Sequence, residues 1–143
     1  MASFGKTSMS RLITCERDIQ TIFLEVVKEF DCSAISGHRP PEEQFELYKK
    51  GRKLVRSEWV VDDKSKIVTY KDGTIKKSKH NFSPSKALDI VPYPIDWNDI
   101  DRMKTLYDVV LRVQERLLAE GKIEKTLTWG GYWKWRDYPH YQI

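Results

Sequence analysis

The sequence predicts an α+β fold in which a small, mainly antiparallel sheet is flanked by helices. Two stretches place apolar residues three and four apart, at Ile19, Ile22, Phe23, Val26, Val27 and Phe30 and again at Met103, Leu106, Val110, Val113 and Leu117. That is the period of a helix burying one face. Elsewhere lie short apolar runs cut off by glycine or proline, Cys32 to Ser36 before Gly37 and Ala87 to Val91 between Pro84 and Pro92, which are bounded as buried strands are. The last fifteen residues, Trp129 to Ile143, hold three tryptophans and three tyrosines. A frayed terminus could not bury so much aromatic surface, so the chain end is expected to dock as a strand.

Taken in order, residues 1–10 form a polar leader, read as flexible. The first helix is expected from about Thr14, placed to cap it, to Phe30, with Glu16 and Asp18 in its first turn. After the strand Cys32–Ser36, the run Pro40-Pro41-Glu42-Glu43 opens a second helix that Gly51 stops. From Arg52 to Lys79 the pattern is strand-like, with Trp59 to Val61, Ile67 to Tyr70, an Asp72-Gly73 turn and Thr74-Ile75 reading as a hairpin-bearing excursion. Ala87–Val91 is expected as a central strand. Asn98 is placed to cap the long helix ending before Gly121, and Leu127–Trp129 and Tyr141–Ile143 close the chain as strands.

At 143 residues, one domain with one core is expected. The 25 Lys and Arg against 21 Asp and Glu leave a charge of +4, which permits an anionic partner and falls short of a nucleic-acid binder's charge. Cys15 and Cys32 are too few for a disulfide framework and are read as reduced and buried. Neither a membrane span nor a signal peptide is evident, so synthesis in the cytosol is expected.

Asp89 sits in apolar company in the middle of its strand, where an ionised carboxylate is costly unless it is paired or holds a metal. His80 precedes it by nine residues, and His140 ends an Asp-x-x-His unit in the aromatic tail. Two imidazoles and a carboxylate make a three-ligand Zn2+ set with a fourth position left open, as a catalytic site requires. Asp137 is then the candidate base, provided the chain bends at Pro139 to bring it beside His140. Arg39 could hold a substrate carboxylate or an oxyanion, or equally could pair with Glu42 or Glu43 on the surface. The lysines at 64, 66, 71, 76, 77, 79 and 86 could steer the protein to an anionic partner, although a solvated hairpin face is the commoner use of such a run.

The ordered set Ser36-Gly37-His38-Arg39 with Gln44 and Tyr48, Ser78-Lys79-His80-Asn81, Ala87-Leu88-Asp89-Ile90-Val91-Pro92-Tyr93, Trp129-Gly130-Gly131-Tyr132-Trp133 and Asp137-Tyr138-Pro139-His140 resembles the D-alanyl-D-alanine carboxypeptidase/VanY-type zinc metallopeptidases. Within them it is most similar to the phage L-alanyl-D-glutamate endopeptidases, endolysins that cut peptidoglycan stem peptides. The resemblance implies a Hedgehog/D-Ala-D-Ala-peptidase-like fold, His80, Asp89 and His140 as zinc ligands, Asp137 as base and Arg39 as the group steadying substrate or transition state. It also implies peptidoglycan as the partner and action in the wall after release by a permeabilising partner. A monomer that binds no nucleic acid is expected. The stretch between His80 and Asp89 is longer than is usual in the family and contains Pro84; His38 is kept out of the metal set. The alternatives are a D-Ala-D-Ala carboxypeptidase and a non-catalytic, zinc-stabilised wall-binding module.

Overall fold

The computed structural model describes residues 1–143. Helix α1 (Lys6–Leu12) is followed by α2 (Arg17–Glu29), strand β1 (Cys32–Ser36) and α3 (Pro41–Lys49). Next come β2 (Arg52–Val55), β3 (Glu58–Val61), β4 (Ala87–Pro92), the long α4 (Ile100–Ala119), β5 (Thr128–Trp129) and β6 (His140–Gln142). The main sheet has the order β1-β4-β6-β5 and is antiparallel throughout, with β2 and β3 forming a separate hairpin. The expected α+β class is therefore observed.

The apolar faces predicted from periodicity form the core. Ile19, Ile22, Phe23 and Val26 of α2 meet Leu106, Val110, Val113 and Leu117 of α4, and both helices close over Ala34, Leu88, Ile90 and Tyr141 of the sheet. Tyr141 is fully buried edge-on against Phe23, with centroids 5.2 Å apart, and Trp129 stacks on Tyr107 at 4.2 Å. Aromatic surface of this size supplies much of the transfer free energy that anchors the chain end. The terminus is thus a structural strand, as its composition predicts.

Several local expectations are corrected. The leader is largely helical: α1 packs on β1, buries Leu12, and its Ser8 hydroxyl accepts from the Ala34 amide at 3.1 Å. Thr14 does not cap α2, which starts after Glu16 without a side-chain cap. The Thr14 hydroxyl instead donates to Arg11 O and accepts from the His38 amide at 2.8 Å, tying the α1–α2 junction to the end of β1. Cys15 lies in that junction, outside any helix, in a bridge with Ser85.

The hairpin is confined to residues 52–61 and turns at Arg56 and Ser57, both with positive φ. Ile67–Tyr70 and Thr74–Ile75 form no strand, because the Asp72 carboxylate draws in the amides of Thr74 and Lys76 and so folds the segment on itself. Asp99 rather than Asn98 caps α4, accepting from the Arg102 amide at 3.1 Å. The proline-containing stretch before Asp89 is anchored at both ends of its Ser85, whose amide donates to Thr14 O and whose carbonyl accepts from Glu16 N.

Candidate active site

The sheet register brings the site together. In the antiparallel β4–β6 pair Asp89 stands directly opposite His140, and on the other side of β4 it faces Ser36 at the end of β1. Directly opposed residues share a sheet face, so two positions fifty-one residues apart become neighbours without any loop having to be precise. The Asp89 Oδ1 atom lies 3.1 Å from His140 Nδ1.

His80 reaches the same carboxylate from a 3-10 turn, Lys79–Asn81, closed by a capping box: the Ser78 hydroxyl accepts from His80 N and the Asn81 side chain accepts from Ser78 N. The segment leaving β1 clamps this turn from outside. Gly37 O lies 2.7 Å from His80 Nδ1, and Arg39 N donates to His80 O at 2.8 Å. Gly37 must be glycine, since a Cβ there would collide with the Thr14 hydroxyl and Arg11 O. Because Nδ1 donates to a carbonyl, His80 presents Nε2 as a lone pair. That Nε2 is buried, 3.3 Å from Asp89 Oδ1, and makes no hydrogen bond.

These three donor atoms lie within 4.8 Å of one another. An orphaned imidazole nitrogen aimed at the carboxylate oxygen that a second imidazole also faces is what a nitrogen- and oxygen-donor metal site requires, so the residues fit a divalent metal. The set is the one expected from the sequence. Burial alone would raise the Asp89 carboxyl, but the facing imidazoles of His140 and His80 overcome it and hold the group well below the usual carboxylate range. Burial opposes the His140 charge, yet Asp89 and Gln142 bring its pKa above the ordinary imidazole value. The apolar cost of Asp89 is thus offset by the histidines.

Asp137 enters by the turn at Pro139. His140 N donates to Asp137 O at 3.1 Å and Ile90 N donates to Pro139 O at 2.9 Å, so the chain bends as required and swings the Asp137 carboxylate to 3.9 Å from His140 Nδ1. The other end of this bend is held by Gly130, whose carbonyl accepts from both Trp133 N and Asp137 N. Asp137 stays half-exposed, with 50% of its side chain accessible, and its pKa is raised by partial burial and by the nearby Asp89 charge. A proton acceptor with an elevated pKa, in reach of solvent and unused as a ligand, has the properties of a general base.

Arg39 does not pair with Glu42 or Glu43. Its guanidinium donates to Gln44 Oε1 at 2.8 Å and stands 4.0 Å from Asp89 Oδ2. All five residues line one cleft of about 500 Å³. His38 points elsewhere, with Nδ1 2.8 Å from Phe82 O.

Two side chains that hold this arrangement are absent from the predicted set. Gln44, only 1% exposed, joins Arg39 to the Thr69–Lys71 segment by donating to Lys71 O at 3.0 Å. Gln142 places Oε1 2.8 Å from His140 Nε2, which makes Nε2 the donor and, in the neutral ring, leaves the Nδ1 lone pair facing Asp89. Its position two residues after His140 on a strand, hence on the same face, is the signal in the sequence that could have found it.

No family model matches the chain. The peptidoglycan L-alanyl-D-glutamate endopeptidase CwlK of Bacillus subtilis is 35% identical over 119 residues, 81% of this chain. The L-Ala D-Glu endopeptidase ChiX of Serratia marcescens superposes with a TM-score of 0.67 at 19% identity, over 96% of this chain and 86% of that one. The chain is similar to L-alanyl-D-glutamate endopeptidases. The first likeness bears out the family resemblance read from the motifs, and the second shows that the endopeptidase fold is the fold seen here. The chain spans 62% of the length of CwlK, so the endopeptidase likeness is to a part of that relative.

Proposed function

We propose that the protein is a zinc-dependent endopeptidase that hydrolyses the L-alanyl-D-glutamate amide bond of peptidoglycan stem peptides. The observation that carries this reading is the buried, unpartnered His80 Nε2 converging with His140 Nδ1 on Asp89 in an open cleft. The likeness to CwlK supplies the bond.

His80, Asp89 and His140 would hold the metal. The chemistry supplied by zinc held there would be a water whose pKa is lowered toward about 7 and a polarised substrate carbonyl. Asp137, 3.9 Å from His140 Nδ1, takes the proton of the attacking water and delivers it to the leaving amine. Arg39, held by Gln44 at the edge of the cleft, neutralises the charge that develops on the carbonyl oxygen. Trp133, whose ring centroid is 5.0 Å from that of His140, walls the site on one side.

At the finer level we read the protein as a phage endolysin, acting as a monomer on the wall once a membrane-permeabilising partner admits it; the motif resemblance to phage enzymes supports this. No helix is long and apolar enough to cross a membrane. The test is mass spectrometry of fragments released from purified peptidoglycan. New amino termini on D-glutamate, abolished by chelator and restored by zinc, are expected. Undiminished release in chelator would overturn the metal mechanism, and new termini elsewhere in the stem would overturn the bond assignment.

A further inference from the structure

Seven lysines crowd the stretch from Lys64 to Lys86, and the fold divides them. Lys66 faces Asp63 at 3.7 Å, and Lys86 lies over the Phe82 ring. Lys71, Lys77 and Lys79 line the cleft that also contains Arg39, Asp89 and Asp137. None of the three has a carboxylate partner; only Lys77 has a cation–π contact, 5.5 Å from the Phe82 centroid.

Two of these lysines spring from backbone that the site itself holds. Lys71 O accepts from the buried Gln44 amide, whose oxygen takes the Arg39 guanidinium. Lys79 precedes His80 in the capped turn, and its carbonyl accepts from Lys86 N. The cleft therefore carries three lysines from residues 71–79 in the same lining as Arg39. Cations without partners in a site that also holds Asp89 and Asp137 suit a compact anionic group rather than a polyanion, which would meet those carboxylates as it ran through.

We infer that Lys71, Lys77 and Lys79 form a carboxylate-reading subsite for the residue on the amine side of the scissile bond. This rests on the endopeptidase reading above. A D-glutamyl residue has two carboxyl groups, and only one can continue a linear peptide, so the other stands free within a few bonds of the nitrogen that leaves. The subsite makes the protein favour stems in which that group is an ionised carboxylate over stems in which it is a carboxamide.

The experiment compares two soluble stem peptides, identical except that the unlinked D-glutamyl carboxyl is free in one and a carboxamide in the other, with zinc-loaded protein. The expected result is a preference of about tenfold or more in kcat/KM for the free form, carried mostly by KM and reduced by salt as solvent-accessible charge pairs are. The Lys71→Met/Lys77→Met/Lys79→Met variant should narrow that ratio, whereas Lys64→Met/Lys66→Met, outside the cleft, should leave it as it is. Equal cleavage of both peptides by the wild type, or a full preference retained in the triple variant, would overturn the subsite while leaving the endopeptidase intact. Cleavage of neither peptide would overturn the endopeptidase reading and the subsite with it. Soluble peptides exclude any attraction of the lysines to wall polyanions as the source of the effect.

Discussion

At the scale of single residues, Asp137 and Gln142 separate chemistry from positioning. The Asp137 backbone holds the bend, while its carboxylate lies 3.9 Å from His140 Nδ1, beside the His80–Asp89–His140 cluster. Asp137→Asn should therefore lower turnover by about 10²–10⁴-fold, the range for a lost general base, while bound zinc measured by mass spectrometry stays at one equivalent; loss of zinc along with activity would reassign the residue as a ligand. Gln142 acts through His140 Nε2. Gln142→Leu should weaken zinc affinity by roughly 10–100-fold, as changes behind a ligand do, read by competition with a chromophoric chelator, and Gln142→Glu should restore most of it. An unchanged affinity in Gln142→Leu would show that the strand alone orients the imidazole.

At the scale of elements, the site depends on how the tail turns between β5 and β6. The Gly130 carbonyl receives both Trp133 N and Asp137 N, and a Cβ on Gly130 would collide with the backbone carbonyl of Asp137. Backbone cannot yield as a flexible side chain can, so Gly130→Ala should displace the Asp137 bend. We expect most activity to be lost with far-ultraviolet circular dichroism and zinc content retained, because the β4–β6 pairing holds Asp89 against His140 independently of Gly130; full activity would mean that the bend is set by Pro139 alone. The sequence shows the same element only partly. The Trp-Gly-Gly and Asp-x-x-His units are visible as motifs, but nothing in their composition says that one carbonyl joins them. In residues 52–79 the β-branched residues and an Asp-Gly pair suggest a longer hairpin, and only the Asp72 side chain, competing for local amides, shows why the strands stop at Val61.

At the scale of the whole molecule, the proposed metal ligands come from three segments of the chain, the turn at His80, β4 and β6, so a bound metal should stabilise the entire fold. Addition of zinc to chelator-treated protein should raise the melting temperature in proportion to the logarithm of free metal. Without metal, pH should matter in a definite direction. The His140 pKa is raised in the folded state, so its contribution is complete below the unfolded value of about 6.5 and is lost as pH rises through the folded value. The Asp137 pKa is also raised, and its ionisation weakens the metal-free fold as pH rises. The Asp89 pKa is depressed, so its contribution is lost only as pH falls below about 3.9 and through the folded value. Metal-free protein should accordingly melt lower near pH ~8.5 than near pH ~6, and a reversed order in calorimetry would contradict this balance.

Local sequence was enough for the class of the fold, the apolar faces of α2 and α4, the strands Cys32–Ser36 and Ala87–Val91, and the candidates His80, Asp89, His140, Asp137 and Arg39. Each announces itself locally, by period, by flanking glycine and proline, or by a charge set in apolar company. The tertiary structure alone decided that Asp89 faces His140 across β4 and β6, that Gly37 and Gly130 carry the hydrogen bonds that aim His80 and Asp137, and that Gln44 ties Arg39 to the lysine-bearing segment. Those facts are strand register and long-range hydrogen bonding. They arise between segments far apart in the chain, where no spacing within one segment can encode them.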